Sequence, residues 1–418
     1  MKALHCDVLV IGGGAAGLAA AAAAGRAGAQ VVLLERYGFL GGLATAGGVG
    51  TVCGLYLRDA AGSKPVLAAA GFLGEFSARL ASASGSGPRR LEQGLWVLPF
   101  LPWAFQGVAE AVVNEAKNVT PVLHATVADV SVEGGRLSQV RALAWNEVLS
   151  LHPKWVVDCS GEATVVALAG GATEEGSADQ APALVFVMED AERGWVEGRM
   201  LGVLRELRRA VDQGRLPAGC ERLSLVPGSG PSRRVTFKIN LPLGEPGQPG
   251  WSRVTACERQ ARGLVDALQR FLIQNVAAFR QAHFSGAAAQ LGVRAGRRIR
   301  GLATLSEEDV LGGRKFASGI ARGCWPMERW LDQPQPVIAF FQERDYYEIP
   351  VGCLRPAGLD NVLAAGRCLS ATAGALASAR VIGTALATGW AAGQAAAVQA
   401  GGRPLAEAVE LIRRQMTE

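Results

Sequence analysis

Histidine is scarce in this sequence, and cysteine, though present, is unpaired. The four histidines, His5, His124, His152 and His283, stand alone and supply no metal-ligand spacing. The eight cysteines, at 6, 53, 159, 220, 257, 324, 353 and 368, include no CxxC pair, which argues against a redox-active disulfide relay. In a chain of 418 residues, too large to need disulfide staples, they read as the reduced thiols of a cytoplasmic protein. No long basic run accompanies the 42 Lys+Arg, which only just outnumber 37 Asp+Glu, so nucleic acid is not an expected partner. No basic segment beyond Lys2 precedes the apolar opening from Val8 to Gly25, and glycines interrupt it, so it does not read as a targeting segment. The stretch Val381 to Val398 is too rich in Ala and Gly for a membrane span and predicts a buried helix instead. Apolar residues, by contrast, make up 49% of the chain, enough for a packed core in two interleaved domains.

The first unit is Asp7-Val8-Leu9-Val10-Ile11, a short run of branched residues, followed by a glycine cluster and an alanine-rich stretch to Ala27: strand, turn, helix. Gly28 ends the helix and Val31 to Glu35 supplies a second buried strand, completing a βαβ unit and starting a parallel sheet. Residues 85–95 read as a loop, and Pro102 to Lys117 as a helix with proline near its start. Pro121 to Val132 and Leu137 to Leu149 alternate in the β manner around Glu133-Gly134-Gly135-Arg136, which predicts an antiparallel hairpin; Trp155 to Asp158 is a further short strand. Between about 175 and 350 the rhythm weakens to a helix over 191–213, strands over 221–227 and 233–241, a Pro/Gly loop over 242–250 and a long helix over 252–283. The earlier style returns with the strand Asn361 to Gly366 and a small-residue helix from Ser378 to Ala400. The expected class is α/β: a Rossmann-like domain, parallel sheet plus antiparallel hairpin insertion, from residues 1–175 and 350–418, with an inserted α+β substrate-binding domain over 176–349.

Gly12, Gly14 and Gly17 form GxGxxG between the first strand and helix. The first glycine permits the tight turn, the second lets backbone approach a pyrophosphate, and the third lets helix pack on strand, leaving the helix N-terminus to stabilise negative charge. Glu35 closes the second strand 18 residues after Gly17, where a carboxylate takes both hydroxyls of a ribose. Together they predict a dinucleotide site, with Ala15 and Ala16 completing the loop. After Arg36 comes a second glycine loop, Gly41-Gly42-Leu43-Ala44-Thr45-Ala46-Gly47, which suits close backbone approach to a large flat cofactor or, alternatively, is a surface loop. No second GxGxxG opens a βαβ unit, so a dedicated NAD(P)H domain is not expected.

The run Val8 to Gly54, with Gly38-Phe39-Leu40-Gly41-Gly42 and Ala44-Thr45 after its acidic residue, resembles the FAD-dependent oxidoreductases of the glutathione-reductase (GR2-like) structural class, and within it a bacterial family. Three further segments are similar to that family: Val156 to Ala163; Arg297-Arg298-Ile299-Arg300-Gly301 with Ser306 to Asp309; and Glu348-Ile349-Pro350 leading into Ala365 to Thr372. The resemblance covers most of the chain and thins between about 190 and 285. It implies FAD as cofactor, with Gly12, Gly14 and Gly17 at the pyrophosphate, Glu35 at the adenosine ribose and Arg36 beside the adenine. It also implies Val127 at the adenine edge, Cys159-Ser160-Gly161 beneath the adenosine half, Gly366 at the ribityl chain with Arg367 among the cofactor-binding residues, and backbone near Val381 and Ile382 at the flavin pyrimidine ring, where a helix N-terminus steadies negative charge.

The sequence departs from the family where a His-Glu pair often follows Ser-Ala-Thr, since Ala373 and Gly374 stand there. Where an acidic-x-His ending commonly follows Cys-Trp-Pro, Glu328 is followed by Arg329 and Trp330. Losing two imidazoles argues that His-based acid-base chemistry is not used. Candidates for catalysis are Tyr347, with Tyr346 and Glu348 beside it; Arg298, with Arg297 and Arg300, for a substrate carboxylate; and Arg380, a lone charge at an apolar helix start. Cys53 and Cys368 read as packing residues near the cofactor. The expected function is oxidation of a small organic substrate by hydride transfer to flavin N5. Oxygen, a quinone and a protein all stay open as electron acceptor, as does assembly into a homo-oligomer. Two rivals are a flavin-dependent monooxygenase or halogenase, disfavoured by the lack of a WxWxIP-like signature, and a flavin-binding subunit whose partner performs the chemistry.

Overall fold

The computed structural model describes residues 2–61, 64–176, 180–226, 233–242, 250–331 and 336–417. It opens with β1 (Lys2–Ile11), α1 (Ala15–Arg26) and β2 (Val31–Leu34), the expected βαβ start. Val8, Val10 and Leu33 are fully buried, and Val8 lies opposite Val31 in a parallel pair. Two helices follow, α2 (Phe72–Ser84), which was not expected, and α3 (Pro102–Glu115), whose proline occupies the first turn where its missing N–H is harmless. Next, β3 (Val119–Val122) extends the sheet beyond β2.

The expected hairpin is a three-stranded meander of β4 (Ala125–Glu133), β5 (Arg136–Ala144) and β6 (Glu147–Asp158). The single strand expected over 137–149 folds back at Trp145, which takes φ +54 with no glycine to mark the turn. β6 begins as the third strand of the meander and ends as a parallel partner of β1, Leu9 opposite Val156 and Ile11 opposite Asp158. Its last four residues are all buried, as befits a parallel strand covered on both faces.

A second, wholly antiparallel sheet comprises β7 (Ala183–Glu189), β8 (Leu223–Leu225), β9 (Val235–Asn240) and β10 (His283–Ala287), in the order β8-β9-β7-β10. It packs on α4 (Arg193–Asp212) and α5 (Gly250–Asn275) through its own core, which includes Phe186, Phe237, Leu207 and Leu268. The helix expected to reach residue 283 stops at Asn275, because Val276 turns extended and the chain soon enters β10. Of the loop expected over 242–250, residues 243–249 lie outside the described residues. Although they fall within the expected insert, Leu305, Val310, Ile320 and Ile349 pack into the core of the parallel sheet's α1 side.

The chain then returns to the first sheet through β11 (Val362–Ala364), parallel to the end of β6. The helix expected from Ser378 is two helices, α6 (Ala373–Ala379) and α7 (Ile382–Ala400), bent by 91° at Arg380-Val381. No single helix among the described residues is long and apolar enough to cross a membrane. The chain closes on α8 (Leu405–Gln415). The small residues of α1 and α7 let these helices touch backbone to backbone: a Cβ on Gly389 would collide with the Ala16 carbonyl, and one on Gly393 with that of Ala20. Gln394 Nε2 reaches across to donate to the Ala23 carbonyl at 3.4 Å.

Candidate active site

One cavity of about 560 Å³ lies beyond the carboxyl ends of β1, β2, β6 and β11, where open α/β sheets bind ligands, and its size suits a small-molecule site. Its floor begins with the glycine loop after β1. Gly12 takes φ +91, and a Cβ there would stand 2.8 Å from the Cys159 carbonyl oxygen, so turn and neighbour both require glycine. Gly17 sits behind the loop, where any side chain would strike the Gly12 carbonyl.

Gly14 is different. Its backbone is extended (φ -69, ψ -174), a conformation open to any residue, and the nearest atom to an added Cβ is Gly42 Cα at 3.7 Å. Neither the backbone conformation nor the room for a Cβ demands glycine at 14, which lines the cavity. Gly14 is also the N-cap of α1 and offers no side chain to the helix's first N–H groups, leaving that end suited to an anion.

Glu35 is buried at the end of β2, its Oε2 accepting from Gly13 N–H at 2.6 Å and its Oε1 from Tyr37 N–H at 2.9 Å. Burial pushes its carboxyl pKa upward, and the N–H groups of Tyr37 and Gly13 oppose that push. Gly41, at φ +113, donates to the Gly13 carbonyl at 2.9 Å and lays the second glycine loop over the first. Thr45 Oγ1 braces that loop by donating to the carbonyls of Leu40 and Gly42, each at 3.1 Å.

After β6, the fully buried Asp158 carboxylate accepts from Ser160 Oγ at 2.6 Å and Val165 N–H at 2.8 Å, while Cys368 Sγ accepts from the N–H groups of Gly161 and Ala163 at 3.1 and 3.2 Å. The thiol of Cys368 thus holds the 159–163 loop from behind. Cys53 lines the cavity, and burial pushes its thiol pKa up to about 12, so it stays protonated and unreactive at neutral pH.

Of the residues expected at a cofactor, Gly12, Gly14, Ala15, Ala16, Glu35, Arg36, Gly41, Gly42, Val127, Cys159, Ser160, Gly161, Gly366, Arg367, Val381 and Ile382 all line this cavity. Gly17 and Thr45 do not; they support it from behind. Among the expected catalytic groups only Arg380 faces the cavity. Arg298 is a correction: its guanidinium is consumed by the Ala371 carbonyl at 2.6 Å, the Glu175 carbonyl at 3.1 Å and Glu174 Oε2 at 2.5 Å. Tyr347 is a second correction, with no accessible surface and its hydroxyl 2.7 Å from Ser378 Oγ. Burial also raises its pKa, which removes it further from proton transfer. Its neighbour Glu348 is buried too, accepting from Phe316 N–H at 2.9 Å. Tyr347→Phe is therefore expected to leave turnover within about twofold of wild type while lowering stability by ~1 kcal/mol through the lost hydrogen bond, measured by steady-state assay and urea unfolding. A hundredfold loss of turnover would return Tyr347 to the chemistry.

The far side of the cavity holds groups the sequence reading missed or passed over. Lys238 projects from β9, Arg294 follows β10, and Glu328 and Trp330 come from the short strand Met327–Arg329 and its end. Glu328 accepts from both indoles, Trp325 and Trp330, at 2.9 Å each. Lys238 Nζ lies 4.1 Å and Arg294 Cζ 4.5 Å from the Trp330 ring centroid. The signal that singled out Arg380, a lone charge in an apolar element, also exists at Lys238, amid Val235-Thr236-Phe237 and Ile239.

The sequence profile described as FAD dependent oxidoreductase matches residues 7–415. No curated protein matches the chain. Among solved structures, similarity extends to a geranylgeranyl bacteriochlorophyll reductase-like protein from Thermoplasma acidophilum (12% identity, 99% of this chain and 85% of that one, TM-score 0.49). It extends also to a myxobacterial chondrochloren halogenase (16%, 99% and 79%, TM-score 0.47) and to p-nitrophenol 4-monooxygenase from Pseudomonas putida (13%, 99% and 84%, TM-score 0.46).

Proposed function

The chain belongs to the FAD-dependent oxidoreductase family, and from that premise we propose that it oxidises a small organic substrate by passing a hydride to the N5 position of FAD bound in the cavity described above. The observation that carries this reading is Gly14, a cavity-lining N-cap where neither backbone conformation nor room for a Cβ requires glycine. We assign residues 1–175 and 350–418 to cofactor binding and the antiparallel sheet within 176–349 to the substrate side.

The residues fit the cofactor. The open N-terminus of α1 at Gly14 offers N–H groups to the pyrophosphate, and Glu35, already oriented by Gly13 and Tyr37, keeps lone pairs for ribose hydroxyls. Val381 and Ile382 open α7 toward the flavin end, and this nineteen-residue helix aims its positive terminus at whatever lies there. Trp325 and Val97 shield that end from water.

Bound flavin supplies the two-electron acceptor. The test is optical: purified protein is expected to be yellow, and anaerobic addition of a substrate from a panel of amines, amino acids and hydroxy acids is expected to bleach it. A colourless preparation that cannot be reconstituted with FAD sinks the proposal. A yellow one bleached only by a partner protein favours the flavin-binding-subunit alternative.

A further inference from the structure

We propose that Lys238, Arg294 and Arg380 form an anion subsite beside the flavin end of the cavity, which takes the carboxylate of an organic acid whose apolar body lies against Trp325 and Trp330. This rests on the reading of the cavity as a flavin site only for its orientation, since the charges themselves are a property of the chain.

Three cations here face one carboxylate among the described residues. That carboxylate, Glu328, has an oxygen committed to each of two indole N–H groups. Lys238 and Arg380 form no ion pair with any described residue, and the Nε of Arg380 is buried without a hydrogen-bond partner. One Arg380 nitrogen only grazes the Glu328 main-chain carbonyl, at 3.4 Å. Arg294, by contrast, is fixed by the Ala181 carbonyl and by Asn240 Oδ1, the latter at 2.8 Å.

Such a cluster is poor for the free protein. Half-buried cations that share one carboxylate lose hydration and repel one another. Burial and then Arg294 push the Lys238 ammonium down to about 8, against the pull of Glu328. Burial lowers the Arg294 and Arg380 guanidinium pKa values as well, though guanidinium remains charged. Burial pushes Glu328 upward, yet Lys238 and Arg380 overcome it and hold the carboxyl below its usual range. A further negative charge supplied from the cavity relieves part of this excess.

The surroundings select its kind. Val97 and Leu91 lie with the two tryptophans on the cavity wall, so the anion arrives attached to apolar mass rather than as a hydrated inorganic ion. Cys53, whose thiol lies in the electrostatic reach of Lys238, Arg380 and Glu328, has its carbonyl bound by Gly383 N–H at 2.9 Å in the first turn of α7. The cationic cluster and the helix terminus assigned to the flavin are therefore adjacent. A carboxylate held there brings the carbon next to it toward the ring.

The test is calorimetric titration of the protein as purified with indole-3-acetate and benzoate, each against its amide, and with inorganic phosphate. Each acid is expected to bind at least about tenfold more tightly than its amide at a pH of about 7, and phosphate to bind weakly. Lys238→Met is expected to remove about tenfold of the preference with FAD occupancy unchanged, and Lys238→Arg to restore it. Because Lys238 is charged below about 8, wild-type affinity for the acids should hold below that pH and fall as pH rises through it; Lys238→Met should show no such fall. The groups facing Lys238 are Arg294, Glu328, Cys53 and Arg380; the arginines stay charged and the thiol stays protonated across that window.

Equal binding of acid and amide, no binding of either, phosphate binding as tightly as the acids, or a preference untouched in Lys238→Met would each overturn the proposal. If Lys238→Met fails to fold, the wild-type pH series decides, and undiminished acid preference above a pH of about 9.5 overturns it. A colourless protein refutes the flavin assignment but leaves the acid-against-amide comparison readable; a yellow protein without acid preference refutes this inference alone.

Discussion

Replacing Gly14 with valine is expected to weaken FAD binding by about a hundredfold or more, ~2.7 kcal/mol, while leaving the apoprotein folded. The two halves of that expectation come from different observations. The backbone at 14 is extended and an added Cβ meets no atom closer than 3.7 Å, so neither backbone strain nor a Cβ clash is expected to unfold the variant. Gly14 also lines the cavity at the N-terminus of α1, where a pyrophosphate would need direct approach to backbone, so a branched side chain there is expected to crowd it. Gly17→Val is the contrasting control: its side chain strikes the Gly12 carbonyl and is expected to destabilise the protein itself. Flavin absorbance after gel filtration, with circular dichroism for the fold, separates the cases. Full FAD occupancy in Gly14→Val would refute the placement of the pyrophosphate.

The second large effect is expected at the α1-α7 contact. Gly389→Val forces a branched side chain into the Ala16 carbonyl, and neither helix can retreat easily. Leu18, Ala19 and Ala20 on one and Leu386, Ala391 and Ala392 on the other are fully buried. Overpacking usually costs 1–3 kcal/mol, and collision with backbone puts this variant at the upper end, about 3 kcal/mol or more. Urea unfolding followed by circular dichroism measures it. Because Ala16, Gly366 and Ala385 of the cavity wall sit at the same contact, FAD release is expected to precede global unfolding. A loss below about 1 kcal/mol would mean that the two helices can separate cheaply.

The parts of this molecule that were legible in its sequence are those governed by local stereochemistry. β1, α1 and β2 carry buried branched residues, a glycine loop with positive φ at Gly12 and a helix of small residues, each of which leaves its own mark. That local signature also led to most of the cofactor-side lining. Elements whose ends depend on tertiary context were less legible. The turn at Trp145 uses a left-handed non-glycine residue, and the α6-α7 break at Arg380-Val381 contains neither Gly nor Pro at the bend.

The catalytic candidates divided along the same line. Arg298 and Tyr347 looked reactive because of their residue types, but whether a guanidinium or a phenol is free depends on partners distant in sequence. Those partners were Ala371 for Arg298 and Ser378 for Tyr347. Lys238 and Arg294 reach the cavity only because the antiparallel sheet docks against it, which alternation within a strand does not reveal.

The packing of α1 on α7 also sets an order of events during synthesis. Ala23 and Gln394, joined across that contact, are 371 residues apart in the chain. At ribosomal rates of roughly 5–20 residues per second, the first helix waits on the order of 20–75 s for its partner. Its alanine surface must meanwhile be covered by earlier elements, β1, β2, α3, β3 and β6 among them. The dinucleotide loop, though encoded by residues 12–17, acquires the α7 part of its wall only when residues 380–385 have left the ribosome, so a chain truncated before Ile382 is expected to emerge with the motif intact and the binding site incomplete.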